Sequence, residues 1–288
     1  LGIVASYWIY EEYAAAQTAF LPFALFIGIS MSITAFPVLA RIIQERNMTK
    51  TSLGTLAIAS AANDDVTAWC LLAVVIAIAK AGTFASALYA IGLTALYIII
   101  MFMVVRPFLK KVGEVYANQE VINKTFVALI LLILIISSTL TEIIGIHALF
   151  GAFMAGVVMP PSIGFRKVMM EKVEDIALVF FLPLFFAFTG LRTEIGLINS
   201  PALWGVCLLL ITVAVAGKLG GCAVAARLVG ESWKDSFTIG TLMNTRGLME
   251  LVALNIGYEM GVLPPSIFVI LVIMALVTTF MTTPLLHL

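Results

Sequence analysis

The chain has 288 residues, 62% of them hydrophobic and 11% charged, with 16 basic and 16 acidic side chains and a mean hydropathy of +1.13. Soluble globular domains carry about 25% charged residues, so a soluble enzyme is excluded and an all-α polytopic membrane protein is predicted. The long apolar runs also exclude an outer-membrane barrel, whose strands alternate over about ten residues, and no basic stripe suits nucleic acid. Taken in order, nine spanning segments are predicted at about 18–40, 51–79, 86–105, 122–140, 144–160, 176–191, 202–226, 236–257 and 266–286. Several exceed the roughly 20 residues a span requires, so tilt or extension past the hydrocarbon is expected. The 144–160 segment is the shortest. Ahead of them, residues 1–9 read as the end of a helix already in progress, with no Met at position 1 and no basic region of a signal peptide. A piece of a longer protein is therefore expected.

The basic residues sort by loop. Arg41, Arg46 and Lys50 follow the first segment, and Arg106, Lys110, Lys111 and Lys124 follow the third. Arg166, Lys167 and Lys172 follow the fifth, and Arg227 and Lys234 the seventh. The alternate loops hold Lys80 and Arg192. Positive residues gather on the cytoplasmic side, so the Arg41 side is predicted to face the cytoplasm, with the first residue outside and the last inside.

Five ionisable residues remain at membrane depth: Asp64, Asp65, Lys218, Arg246 and Glu250. Charges there are costly and mark ion pathways, or else structural ion pairs inside the bundle. Asp64 and Asp65 share a run from Thr51 to Ala79 that holds no other charge, and Asp65 lies at its midpoint. On a helix the two carboxylates point about 100° apart, so one can face a cavity while the other faces a partner helix. A buried carboxylate can hold a proton or, once ionised, a cation, and that competition is the chemistry of an exchanger. Lys218 is the positive partner expected for Asp64, and the two would titrate together.

Two segments carry signals of interruption. Ser30, Ser32, Thr34 and Pro37 fall within the first; proline cannot donate to the helix ladder, and Ser and Thr compete for freed backbone groups. Asn244, Thr245, Arg246 and Gly247 fall within the eighth. By the charge pattern these segments run in opposite directions. Paired discontinuous helices meeting at the midplane are the signature of an inverted-repeat transporter. Arg246 would neutralise carbonyl ends there, and Glu250, one turn on, would pair with it. Gly151, Gly156, Gly217, Gly220 and Gly221 are expected to permit close helix approach. Cys70, Cys207 and Cys222 lie in apolar segments without a CxxC pattern and read as small buried hydrophobes. His147 and His287 belong to no metal-ligand cluster, and no Gly-rich phosphate loop is present.

Several motifs stand in order along the chain: TAFPVLAR at 34–41, AANDDV at 61–66, GIHALFGAFMAG at 145–156, GK at 217–218, NTRGLMELV at 244–252 and MALVTTFMTTP at 274–284. Together they resemble the monovalent cation/proton antiporter-2 family, especially its plant cation/proton exchanger branch and bacterial relatives. The resemblance implies an inverted-repeat antiporter fold with a core and a dimerisation domain, of which the nine segments look like the fourth to twelfth helices, with broken helices at 18–44 and 236–257. It implies that Asp65 is the shared cation and proton site, that Asp64 is tied to Lys218, and that Thr34 is a backbone or hydroxyl ligand of the cation. Arg246 and Glu250 would be structural charges, and Ser32, Pro37, Asn244 and Gly247 would mark the broken helices. The plant-like branch often has asparagine where Asp64 stands; an Asp–Asp pair with a lysine resembles the electrogenic members instead.

The activity expected is therefore exchange of Na+ or K+ for protons by alternating access. The only small molecules implied are the transported Na+ or K+ and H+. A homodimer is expected at full length, in contact with membrane lipid and without nucleic acid, in a bacterial inner membrane. A gated cation channel and a cation-binding membrane sensor are the alternative readings of the same carboxylates.

Overall fold

The computed structural model describes residues 1–15, 18–81, 84–116, 124–159 and 173–286, and all regular structure among them is helical. Arg166, Lys167, Lys172 and His287, used in the sequence reading, lie outside the described residues. Fourteen α-helices follow one another: α1 (Gly2–Tyr13), α2 (Phe20–Ser32), α3 (Phe36–Glu45), α4 (Ser52–Lys80), α5 (Phe84–Ile100), α6 (Arg106–Tyr116), α7 (Lys124–Ile144), α8 (Ala148–Val157), α9 (Leu182–Arg192), α10 (Pro201–Val215), α11 (Gly221–Leu228), α12 (Trp233–Met243), α13 (Leu248–Glu259) and α14 (Pro265–Leu285). A π-helical turn, Met101–Val105, joins α5 to α6 without a break, and another, Ala216–Gly220, joins α10 to α11.

The helix ends follow local chemistry. Pro201 begins α10 behind Ser200, whose hydroxyl accepts the Leu203 N–H at 3.3 Å. Ser232 caps α12 by accepting the Asp235 N–H at 3.1 Å and donates to the Asp235 carboxylate at 2.6 Å. Each arrangement satisfies a donor that the first helical turn leaves without a partner.

Among the described residues seven helices are long and apolar enough to cross a membrane. They match seven of the nine segments predicted from sequence. The 144–160 segment yields α8, only 10 residues long. Its start is fixed by local polar groups: the Ala148 N–H donates to Glu142 at 3.0 Å and the Leu149 N–H to His147 Nδ1 at 3.3 Å. The 236–257 segment is divided into α12 and α13 by four non-helical residues. The first segment is likewise divided into α2 and α3 by Ile33, Thr34 and Ala35. Pro37 does not interrupt a helix from within; it sits in the first turn of α3, where its missing N–H costs nothing.

The chain separates into two compact units, one of Leu1–Leu72 with Thr189–Leu288 and the other of Ala73–Phe188. In the first, α13 and α14 contribute much of the buried interior, with Ala253, Leu254, Ile267 to Leu271 and Met274 inaccessible. The same interior holds Thr34, Thr241, Asn244, Thr245, Arg246, Glu250, Thr278 and Thr282. Its outer surface exposes large apolar side chains such as Leu208 and Phe280. The second unit exposes Val179, Phe180 and Ile143 in the same way. Polar groups inside and apolar groups outside is the arrangement a hydrocarbon solvent requires of a helical protein.

Glycine does not act uniformly. A Cβ at Gly151 would collide with the Ser137 carbonyl and the Thr141 hydroxyl, so α7 and α8 touch closely there. Among the described residues nothing stands within 4 Å of a Cβ at Gly156, Gly220 or Gly221, contrary to the close packing predicted for them.

Candidate functional site

The site grows from the two interrupted helices. Breaking a helix frees amides and carbonyls that must find partners when buried. Here each break supplies partners to the other. The Ala35 N–H donates to the Thr245 carbonyl at 2.9 Å, and the Thr34 hydroxyl to the Met243 carbonyl at 3.1 Å. Arg246 reaches back across the gap: Nη1 donates to the Ser30 carbonyl at 2.6 Å and Nη2 to the Met31 carbonyl at 2.8 Å. Those carbonyls belong to the last turn of α2, the negative end of its dipole. The planar guanidinium suits this double contact as a lysine could not.

α14 secures the second break. Its Thr279 hydroxyl accepts the Arg246 N–H at 2.8 Å and donates to the Arg246 carbonyl at 2.7 Å. Asn244 Nδ2 donates to the Thr278 carbonyl at 3.4 Å. Gly247 begins the approach to α13; a Cβ there would stand 3.0 Å from Ala35 Cβ and 3.3 Å from a Val38 methyl, so its small size lets the two breaks meet.

Glu250, in the first turn of α13, is inaccessible, and its Oε1 lies 3.5 Å from Arg246 Nη1. Neither of its oxygens accepts a hydrogen bond among the described residues. Arg246 directs one N–H of each terminal nitrogen to the α2 carbonyls, and at 3.5 Å the pair is two charges in proximity rather than a fork.

The carboxylate pair comes to the same place on α4. Asp64 Oδ2 accepts two donors: the Thr34 N–H at 2.9 Å and Lys218 Nζ at 3.0 Å. Lys218 also donates to the Ser32 carbonyl, the last residue of α2. It projects from the π-helical turn between α10 and α11 rather than from a regular helix. Asp65, the next residue, is half-buried and makes no hydrogen bond or ion pair among the described residues. The carbonyls of Ile33 and Thr34 likewise accept no hydrogen bond from the described residues. Beside Asp64 and Lys218 lies a cavity of about 350 Å3, lined also by Gly28, Ser32, Val213 and Gly217.

Thus Asp64, Thr34, Ser32 and Lys218 form one hydrogen-bonded group, and Arg246 is bonded to the same end of α2 through Ser30 and Met31, with Glu250 beside it as a counter-charge and Asn244 and Gly247 in the same second break. The sequence reading missed Thr279, the Ser30 and Met31 carbonyls, and the Thr189 and Asn255 side chains, which hydrogen-bond at 3.0 Å behind α13. Thr279 stands in the TTFMTTP run, whose repeated threonines were the available signal; backbone acceptors leave no trace in side-chain identity.

The sodium/hydrogen exchanger transmembrane family model matches residues 1–288. The chain is 42% identical to the Na+/H+ antiporter NhaS4 of Synechocystis, over 99% of this chain and 70% of that protein. It is 40% identical to cation/H+ antiporter 17 of Arabidopsis thaliana, over 99% of this chain and 35% of that one. With K+/H+ antiporter 1 of Saccharomyces cerevisiae it shares 35% identity, over 92% of this chain and 31% of the yeast protein. The chain therefore spans about a third of the plant and yeast relatives. Its apolar helices and this match over its whole length make it an integral membrane protein of the sodium/hydrogen exchanger family.

Proposed function

We propose that the chain carries the ion site of a secondary antiporter that exchanges Na+ or K+ for protons, with Asp65 as the shared site. The observation that supports this most is the asymmetry of the aspartate pair. Asp64 is held by the Thr34 amide and Lys218, while the adjacent Asp65 makes no hydrogen bond or ion pair among the described residues. An ionised carboxylate at that depth needs a cation or a proton. The unpaired Ile33 and Thr34 carbonyls stand in the neighbouring break as further oxygen ligands, the kind that unwound transporter helices offer to alkali cations. The Thr34 hydroxyl, already donating to Met243, keeps its lone pairs for the same purpose. The names of the relatives, Na+/H+ and K+/H+ antiporters, agree with this chemistry.

In the proposed cycle Asp65 releases a proton, takes a cation, and gives it up on the other side when a proton competes for the carboxylate. The broken-helix assembly moves as one body between the two accesses, because its halves are hydrogen-bonded to each other. Lys218 gives up its pair with Asp64 when the cation binds and releases a proton to water, then takes a proton from water when the cation leaves and the pair re-forms, so that a second proton is carried. The full-length protein works as a homodimer in the inner membrane of a bacterium. Asp65→Asn in the full-length protein, reconstituted in vesicles, is expected to abolish cation-driven proton movement; retained exchange overturns the assignment.

A further inference from the structure

α13 carries Asn255, Tyr258 and Glu259 toward its C-terminal end. Spacings of three and four residues put all three on one face of the helix. Arg192, the last residue of α9, lies against that face. Its Nη1 donates to Asn255 Oδ1 at 3.2 Å and to Glu259 Oε1 at 2.8 Å. Its guanidinium stands 5.6 Å from the centre of the Tyr258 ring. One turn back along α9, the buried Thr189 hydroxyl accepts Asn255 Nδ2 at 3.0 Å. Thr189, Arg192 and the whole of α13 belong to the first compact unit.

The two ends of α13 are fastened unequally. At the break end, Arg246 binds the Ser30 and Met31 carbonyls in the buried interior. At the other end, the Arg192–Glu259 pair leaves 25% and 47% of its side chains exposed. Ion pairs open to solvent are weak, whereas parting the buried bonds would leave carbonyls without donors. A displacement of the broken helices therefore carries α13 with it and parts the α9 contact first. The charge pattern places Arg192 on the external side, so the contact that yields is the outer one.

We propose that Arg192, with Asn255 and Glu259, forms an external latch that holds α13 against α9 in the state seen here and opens once in every exchange cycle. Arg192 is a positioning residue that acts through α13 and not on the ion. The latch rests on the antiporter reading above. The test bridges Arg192→Cys and Glu259→Cys in the full-length protein with a short bis-methanethiosulfonate, whose disulfides a reductant removes. Bridging is expected to abolish cation-driven proton movement in vesicles, and the reductant to restore it. Arg192→Cys alone, treated alike, controls for the partly exposed Cys70 and Cys222 and is expected to stay active. A bridged protein that exchanges as fast as its reduced form overturns the latch alone, because α9 then travels with α13. Exchange absent from the unaltered protein overturns the antiporter reading, and the latch falls with it. Where the double-cysteine variant is inactive even when reduced, Arg192→Glu decides. Apparent affinity at each face follows the fraction of protein open to that face. Arg192→Glu is therefore expected to move the cation KM measured from the two faces in opposite directions, and Glu259→Arg added to it to bring both back. KM values that stay still, or move together, overturn the latch, as does a reversed pair that restores neither.

Discussion

Lys218 Nζ lies 3.0 Å from Asp64 Oδ2, and the same oxygen accepts the Thr34 amide of the first broken helix. One carboxylate thus ties three elements, α4, the α2–α3 break and the α10–α11 turn, into a single group. The pair is only partly buried, with side-chain exposures of 11% for Lys218 and 24% for Asp64, so its strength is that of a semi-sheltered ion pair and not of a dry one.

Removing Lys218 leaves Asp64 with one donor. Lys218→Met is expected to lower stability by about 1–3 kcal/mol, read as a lower midpoint of thermal unfolding. Adding Asp64→Asn should recover much of the loss, because the uncompensated charge is then gone. If the double variant is no more stable than the single one, the pair does not hold these elements together. The same lysine variant should reduce the charge moved per cation in electrical recordings from full-length protein.

Arg246 closes the end of α2 through two carbonyls. Arg246→Met is expected to cost about 3 kcal/mol or more, since it orphans Ser30 and Met31 and leaves Glu250 without its counter-charge. Arg246→Lys should recover little, because a lysine cannot fork to both carbonyls. Unfolding midpoints of the two variants, with and without Glu250→Gln, check this. A fully stable Arg246→Met protein contradicts the role assigned here.

Thr279 both accepts from and donates to the backbone of Arg246. Thr279→Val removes both bonds at nearly constant shape and is expected to cost about 1–3 kcal/mol and to slow exchange. Thr279→Ser keeps the hydroxyl and should stay close to the unaltered protein in both measurements. Loss of exchange in the serine variant would point to packing of the methyl group instead.

Competition at one carboxylate has a kinetic signature. As pH falls, the apparent KM for the cation should rise while the maximal rate at saturating cation changes little, measured in vesicles with the same pH on both sides. A maximal rate that collapses at unchanged KM argues for separate cation and proton sites.

The sequence made the charged side chains legible because hydrocarbon makes each of them conspicuous: Asp64, Asp65, Lys218, Arg246 and Glu250 stand out from apolar runs. The breaks were legible through Pro37 and Gly247, although Pro37 marks the start of α3 and not the gap itself. What the residues could not disclose is how backbone meets backbone. The Ala35 amide on the Thr245 carbonyl, or Arg246 on Ser30 and Met31, depends on partners more than 200 positions apart, and any residue type supplies the same carbonyl. The π turn that carries Lys218 leaves no compositional mark, since it is set by which carbonyl each amide finds. Seven of the nine segments are long apolar helices among the described residues; the other two are the 144–160 segment, the shortest in the sequence, and the 236–257 segment, interrupted at the Asn244–Gly247 run that the sequence marked.

The most direct test is proton/cation exchange by the full-length protein in vesicles, comparing the unaltered chain with Asp65→Asn. Addition of Na+ or K+ should dissipate an imposed pH gradient with the unaltered protein and leave it standing with Asp65→Asn. A pH gradient that collapses equally with both would contradict the assignment of Asp65 as the shared site.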